Sequence, residues 1–489
     1  MPSILVMERP ENWPLEIPGA EVVQARTYLT DPAWSQRPGL KVFNVCRSYR
    51  YQSVGYYVSL LAEARKHRPL PSVATIQDLR TPSLVRVLSE DLEHLIQRSL
   101  APLASDRFTL SIYFGENVAK RYQKLSRQLF NLFPAPLLRG EFVRNKNTWE
   151  MKGLHPIGAR EIPDIHRDFV IEQTQRYLGR VRPRPKPHAF RFDLAILTDS
   201  TEALPPSGER ALKRFMEAAE EMEIRPERIS RDDLGRLAEF DGLFIRATTA
   251  VNHFTFRFSR RAAAEGLVVM DDPESILRCT NKVFLAESLA RHRIPVPKTV
   301  ILHRDNLDQA IRTLGFPAIL KLPDSSFSQG VVRVSDDSEF RERAKAFLES
   351  SDLLIAQEFL PTEYDWRVGI LNREILFVAR YHMARGHWQI IQGDGGAKTR
   401  FGGVEAVSPD NAPAPVLQAA SRAAALMGDG LYGVDLKVKG EALYVVEVND
   451  NPNIDAGYED RVAGKEIYRK IMAIFLARME ARRERGVSP

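Results

Sequence analysis

The chain has 489 residues, 44% of them hydrophobic and 27% charged, with 28 Gly and 31 Pro. This excludes a disordered, collagenous or membrane-embedded chain and leaves room for about three domains of roughly 150 residues each. Lys and Arg number 69 against 63 Asp and Glu, a surplus of +6 that is too dilute over this length to indicate nucleic acid. Cys46 and Cys279 are the two cysteines, so there is no disulfide framework and no cysteine-based zinc site. The opening MPSILVMERPENW lacks a basic leader, and no stretch approaches the roughly 18 apolar residues of a membrane span. The expectation is a cytoplasmic protein with no membrane and no nucleic-acid partner.

Taken in chain order, residues 1–150 read as a small α/β domain of unassigned role, with strand-like runs at Ile4–Met7 and Lys41–Cys46 and a helical pattern over Ser53–Lys66. Residues 151–189 read as a connecting segment ending in RVRPRPKPHAFR, Arg180–Arg191, where proline among basic residues marks a linker. Residues 190–272 alternate strand and helix: strands at Phe192–Thr198, Gly242–Arg246 and Leu267–Met270, helices at Gly208–Glu223 and around Phe258–Glu265. That alternation predicts a second α/β domain with a parallel sheet. Residues 273–489 change texture. Trp366–Leu371 and Glu374–Arg380 flank Asn372-Arg373 as a hairpin, and helices fall at Asn281–His292, Pro415–Met427 and Lys465 to about Arg483, which predicts an α+β region. No internal repeat is visible along the chain.

The most informative stretch is Leu431–Asn453, two apolar runs around Lys439-Gly440-Glu441. A hairpin centred near Glu441 sets Asp435 opposite Glu447 and pairs Val434 with Val448, Leu436 with Val446 and Val438 with Tyr444. Asn449 then shares a face with Glu447. Two carboxylates facing each other in an apolar sheet call for a cation between them, and magnesium suits a site that also takes phosphate oxygens.

Upstream, Lys321 ends the apolar run PAILKLP, where a triphosphate would satisfy its ammonium. The following loop, Asp324–Gly330 with Ser328 and Gly330, can present backbone N–H groups to phosphate, although an ordinary turn would look the same. Lys282, after the N-capping Asn281, offers a second ammonium or is a surface helix lysine. The strand LLIAQEFLP, Leu353–Pro361, ends in Gln357 and Glu358 and is followed by Asp365-Trp366-Arg367; such an edge can serve an adenine and a ribose, or be structural.

In this order the motifs resemble the ATP-grasp superfamily, specifically RimK-type ligases, over Phe192 to about Ala473. The resemblance rests on Asn281-Lys282, AILK ending at Lys321, QEFL at Gln357–Leu360, DWR at Asp365–Arg367, FGG at Phe401–Gly403, and GVD with EVN spaced so that Glu447 follows Asp435 by twelve residues. It implies an ATP-grasp fold preceded by an α/β pre-ATP-grasp domain, with residues 1–150 as a further N-terminal α/β domain found on some RimK-like proteins. It also implies that Lys282 and Lys321 contact ATP phosphates and that Gln357, Glu358, Phe359 and Leu360 frame the adenine. Asp365 with Arg367 would lie by the ribose, and Asp435, Glu447 and Asn449 would hold Mg2+ or Mn2+. Arg246 would face the acid substrate, with Arg380 and Arg400 near the transferred phosphate.

The activity so implied is an ATP-dependent carboxylate–amine ligase forming an amide through an acylphosphate, adding an amino acid such as glutamate to a small acid or peptide. It fits the absence of a Ser-His-Asp or Cys-His arrangement. Two alternatives stand beside it: a ligase modifying a protein's C-terminal tail, and a non-catalytic nucleotide-binding regulatory protein. Self-association as a homo-oligomer is a further expectation from the family.

Overall fold

The computed structural model describes residues 3–12, 21–37, 39–81, 85, 92–146, 148–178, 190–324, 330–392 and 400–485. The described chain divides into two compact units, one of 1–188 with 232–238 and 482–489, the other of 189–231 with 239–481. Most of the proline-rich stretch Arg180–Arg191, expected to be a linker, lies outside the described residues.

The N-terminal unit opens with a parallel sheet of β1 (Ser3–Met7), β2 (Glu21–Gln24), β3 (Lys41–Asn44) and β4 (Arg68–Leu70) in the order β2-β1-β3-β4. The continuous apolar runs suit it, because Ile4, Leu5, Val6 and Val42 are wholly buried between layers. A second sheet follows, antiparallel, of β5 (Arg107–Tyr113), β6 (Leu137–Asn145) and β7 (Thr148–Pro156). Leu110, Ile112, Leu138, Phe142 and Leu154 form its core side. This sheet and the helix Arg167–Leu178 extend structure through the stretch expected only to connect.

The C-terminal unit begins with β8 (Phe192–Leu197), β9 (Ile224–Ile229), β10 (Gly242–Ile245) and β11 (Val268–Met270), parallel in the order β11-β10-β8-β9. The helix Glu209–Glu221 buries Ala211, Leu212, Phe215, Ala218 and Ala219, a stripe at helical spacing. Phe215, Phe244 and Met270 share one core with Leu371, Phe377 and the helix Glu466–Arg485 through Tyr468 and Phe475, so the early sheet is packed into the later region.

Two antiparallel sheets complete the unit. The small one joins β12 (Thr299–Leu302), β13 (Ala318–Lys321), β14 (Val331–Val334) and β15 (Leu354–Glu358) in the order β12-β15-β13-β14. The large one joins β16 (Tyr364–Leu371), β17 (Glu374–His382), β20 (Val404–Val407), β21 (Leu431–Lys439) and β22 (Ala442–Asp450) in the order β20-β17-β16-β21-β22, with β18 (Ile391–Gln392) and β19 (Arg400–Phe401) paired separately. Asn372 and Arg373, at φ 48° and 70°, make the tight turn between β16 and β17. The helix Ala414–Ala425 covers the back of the large sheet with Val416, Ala420 and Ala424 against Val368, Val434 and Val448.

The hairpin β21–β22 pairs Asp435 with Glu447 and Val434 with Val448, as counted from the sequence. Towards the turn the expected pairs are corrected: Leu436 meets Val445 and Val438 meets Leu443. A bulge at Val446 takes up one residue, and the turn is a two-residue one at Gly440-Glu441. Among the described residues no helix is long and apolar enough to cross a membrane.

Gly369, opposite Phe377 in the large sheet, has no room for a side chain, since an added Cβ would lie 2.1 Å from Phe377 Cε1. Gly369→Ala is expected to cost about 1–3 kcal/mol by overpacking, read as a lower urea midpoint with unchanged slope.

Candidate active site

The small sheet turns Ile319, Lys321, Ile355, Gln357 and Thr299 to one side, because cross-strand partners and residues two apart share a face. Its other side, with Ala318, Leu320, Leu354 and Ala356, is core. An open cleft lies against the first face, lined by Lys282, Leu289, Thr299, Lys321, Gln357 and Val446 among others. It is apolar with a few convergent polar groups, which is what a nucleotide base and its phosphates require.

The Lys321 ammonium donates to Gln357 Oε1 at 2.8 Å, and the Gln357 amide donates to Thr299 Oγ1 at 2.9 Å. Lys321 is therefore bonded within the fold as well as poised for an anion. Burial pushes it down to about 8, with Glu447 opposing and Lys282 adding to the fall. Lys282 is no surface lysine: its side chain is 11% exposed and lies 3.1 Å from Glu447. Asn281 places it by capping the helix Lys282–Arg291 through the Val283 and Phe284 N–H groups, while its own amide donates to Asp324 at 2.9 Å.

Across the cleft stands the front of the large sheet. Arg367 grips Asp435 with two 2.6 Å hydrogen bonds, and Asn449 donates to the same carboxylate at 3.2 Å, leaving Oδ1 as its oxygen donor. Burial lifts the Asp435 carboxyl above its ordinary range, with Arg367 opposing. Burial would lift Glu447 too, yet Lys282 and Lys321 beside it hold it below the ordinary range. The expectation that these acids stand uncompensated is thus corrected, since each carboxylate already has a protein cation.

Among the described residues no three or more His, Cys, Asp and Glu side chains are grouped to hold a metal. The candidate is two carboxylates and an amide oxygen, a hard donor set that fits magnesium when phosphate oxygens complete it. Asp365 is bonded by Lys437 at 2.6 Å and Thr362 at 2.9 Å. Glu358 accepts from the Lys298 N–H at 2.7 Å, and Phe359 packs against Trp388 with Arg333 over its ring. Leu360 is buried. Gly330 occupies a left-handed turn at φ 69°, and Ser328 lies outside the described residues.

Two arginines are not where the resemblance set them. Arg246 is 1% exposed, and all three guanidinium nitrogens donate within the fold, to Ser207, Asn451 and the carbonyls of Pro206 and Pro452. It is a buried strut that ties β10 to the segment after β22, not a group facing a substrate. Arg380 pairs with Trp366, whereas Arg367 pairs with Asp435, so alternation turns Arg380 to the opposite face. There its guanidinium lies 4.7 Å from the Trp366 ring and 5.0 Å from that of Tyr364. Arg400 sits on β19, and its side chain is outside the description.

The sequence reading missed Lys437, Val446, Thr299 and Asn451. Lys437 had a signal, since it stands two residues from Asp435 on one strand; Val446 had none, because it reaches the cleft through the bulge.

Three cations, Lys282, Lys321 and Arg367, face two carboxylates here, so a bare divalent cation meets net positive charge. Mg2+ titrated alone is expected to give no saturable binding, and to bind once ADP or a non-hydrolysable ATP analogue is present; calorimetry checks this, and a saturable nucleotide-free site would refute it. A bound phosphate favours the Lys321 ammonium, so nucleotide affinity is full below about pH 8 and falls by up to about tenfold per unit above it. Measuring Kd from about pH 6 to 10 should show that fall, and Lys321→Arg, which stays charged, should flatten it.

Comparison with known proteins places both parts of the chain in one family. Residues 25–173 match the RimK-like ATPgrasp N-terminal domain and residues 279–475 match the RimK-like ATP-grasp domain. A probable alpha-L-glutamate ligase of Nitrosococcus oceani is 24% identical over 240 residues, covering 48% of this chain and 76% of that protein. One from Alkalilimnicola ehrlichii is 25% identical over 256 residues, covering 51% and 81%. Among solved structures, the D-alanine–D-alanine ligase of Bacillus anthracis aligns over 60% of this chain and 99% of its own at 17% identity and a TM-score of 0.47.

Proposed function

As a member of the RimK-like ATP-grasp family and an ATP-dependent carbon–nitrogen ligase, this chain, we propose, joins the carboxyl group of a small acid or peptide to the amine of an amino acid such as glutamate. The observation that carries the reading is the convergence of Lys282, Lys321 and Gln357 on one cleft, with Glu447 bonded to Lys282.

The small-sheet face and Val446 receive the adenine, with Glu358, Phe359 and Leu360 at its edge and Asp365 with Lys437 towards the ribose. Lys282 and Lys321 hold the phosphates and offset charge on the transferring oxygens. Asp435, Glu447 and Asn449 would hold magnesium or manganese, which when bound neutralises phosphate charge. The acid's carboxylate oxygen bonds to the γ-phosphorus as the bond to ADP breaks, giving an acylphosphate. The amine then attacks the acyl carbon, phosphate leaves, and the ammonium proton passes to solvent or phosphate. No protein nucleophile is needed, and Arg367 keeps Asp435 oriented.

The test is ADP release by the purified protein with ATP and Mg2+ over a panel of amino acids and short acidic peptides, with mass spectrometry of the products. Substrate-dependent ADP with a mass gain of one amino acid less water is expected. Glu447→Gln should lower turnover on the order of 10²-fold in a folded protein. ADP formed only with protein acceptors would shift the substrate to a protein tail, and nucleotide binding without turnover on any acceptor would sink the ligase reading.

A further inference from the structure

Although no repeat shows in the sequence, the parallel sheets and one antiparallel hairpin with its neighbouring strand recur in both units. The parallel sheets share one order, the first strand lying between the second and third with the fourth outside: β2-β1-β3-β4 and β9-β8-β10-β11. The Val45 N–H donates to Val6 at 3.0 Å, and the Arg246 N–H donates to Leu197 at 2.8 Å. Each third strand leads into an 11-residue helix, Val54–Ala64 and Phe254–Ala264, at positions 200 apart.

The finer features keep that offset. Lys66 and Gly266 follow the helices at φ 58° and 70°. Ser59 donates to the Pro71 carbonyl at 2.7 Å, and Ser259 to the Asp271 carbonyl at 2.7 Å. Ser72 and Asp272 cap the next helices, Val73–Leu79 and Pro273–Thr280.

The antiparallel sheets match as closely. β6 and β7 have 9 residues each, as do β21 and β22. Asn145 meets Thr148 across one turn and Lys439 meets Ala442 across the other. The register shifts between Glu141 and Phe142 in one and between Asp435 and Leu436 in the other, so that Lys152 and Val446 are the bulged residues. β5 pairs Tyr113 with Leu137, as β16 pairs Leu371 with Leu431. A helix precedes β6 and β21 alike, Gln123–Leu132 and Ala414–Ala425.

This register gives the site residues of the large sheet their counterparts. Asp435 corresponds to Glu141, Glu447 to Gly153, Asn449 to His155 and Arg367 to Thr109. Gly369 and Gly433, against which Phe377 and Pro452 pack in the large sheet, correspond to Ser111 and Arg139, and Arg139 donates to the Glu161 carbonyl at 2.7 Å. Among the described residues the sheet β12–β15, source of Lys321 and Gln357, has no counterpart: Ala101–Asp106 alone separate the helix Glu93–Leu100 from β5.

We propose that the N-terminal unit is a reduced second copy of the catalytic fold, stripped of nucleotide and metal binding, with Arg139 and His155 where the catalytic copy has Gly433 and Asn449. The chain then has one nucleotide site, in its C-terminal unit. Photolabelling of the full chain with Mg2+ and 8-azido-ATP, followed by peptide mapping, tests this. ATP-competed label confined to peptides of the C-terminal unit is expected; ATP-competed label within 1–178 would overturn the proposal. The proposal and the function above fail on different peptides. Glu141→Gln and His155→Gln, at the counterparts of Asp435 and Asn449, should leave kcat and the KM for ATP within about twofold of wild type. A tenfold or greater loss in variants that keep the wild-type urea midpoint would place a working site in the N-terminal unit and refute the proposal.

Discussion

The Arg367–Asp435 pair holds the front of the large sheet in order. The two side chains are 13% and 11% exposed, so both charges are largely taken from water. Such a pair adds little net stability, because desolvation offsets most of the Coulomb gain. What it supplies is orientation. The Arg367 guanidinium lies 4.6 Å from the Tyr381 ring, the Tyr381 hydroxyl donates to Glu459, and Asn449 approaches Asp435 from the adjacent strand. The carboxylate is fixed by three strands before any ligand arrives, which is the preorganisation that phosphoryl transfer relies on. Glu447, beside it, keeps its charge through Lys282 and Lys321.

The hairpin that carries both acids was legible in the sequence for a reason worth separating into parts. Counting back from a turn centred on Glu441 gave the right pair, Asp435 with Glu447, although the actual turn is tighter and the strand contains a bulge. The tighter turn moves the register by one residue, and Val446 moves it back. The two departures cancel beyond the bulge and not before it, which is why Val434–Val448 held while Leu436–Val446 did not. A bulge is set by local twist and by what packs on the extra residue, and neither is written in a period-2 pattern.

Elsewhere, legibility followed how local the determining physics is. Asn281 as a cap and Asn372-Arg373 as a turn are decided within a few residues, and both were read. Lys282 as a partner of Glu447 depends on packing between elements far apart in sequence, and its helix position alone suggested solvent. Arg380 was displaced by a second bulge: counted from the Asn372-Arg373 turn it falls opposite Asp365, on the face of Arg367, but Leu376 takes up one residue and Arg380 pairs with Trp366 at the back of the sheet. Arg246 shows the opposite limit, since nothing in FIRATTA reveals that Asn451 and the Pro206 and Pro452 carbonyls close around it.

The repeat was hidden because the features it preserves are indifferent to side-chain identity. Between 54–80 and 254–280 the identical positions are Ser59 and Ser259, Ala62 and Ala262, Ala64 and Ala264, and Ile76 and Ile276. Several of these pack a core or bond a backbone carbonyl. What differs is the charge. Arg246, Asp271 and Asp272 of the catalytic copy stand where the N-terminal copy has Val45, Pro71 and Ser72, and Asp450 stands where it has Pro156. In the catalytic copy burial lowers Arg246 to about 10 and raises Asp450 to about 7, so this cluster works against desolvation. A fold pays that cost where the strand ends must hold a site in place. Where Gly153 stands at the position of the acid and the described residues form no second nucleotide sheet, valine and proline meet the same packing demand without that cost, and the backbone plan is kept.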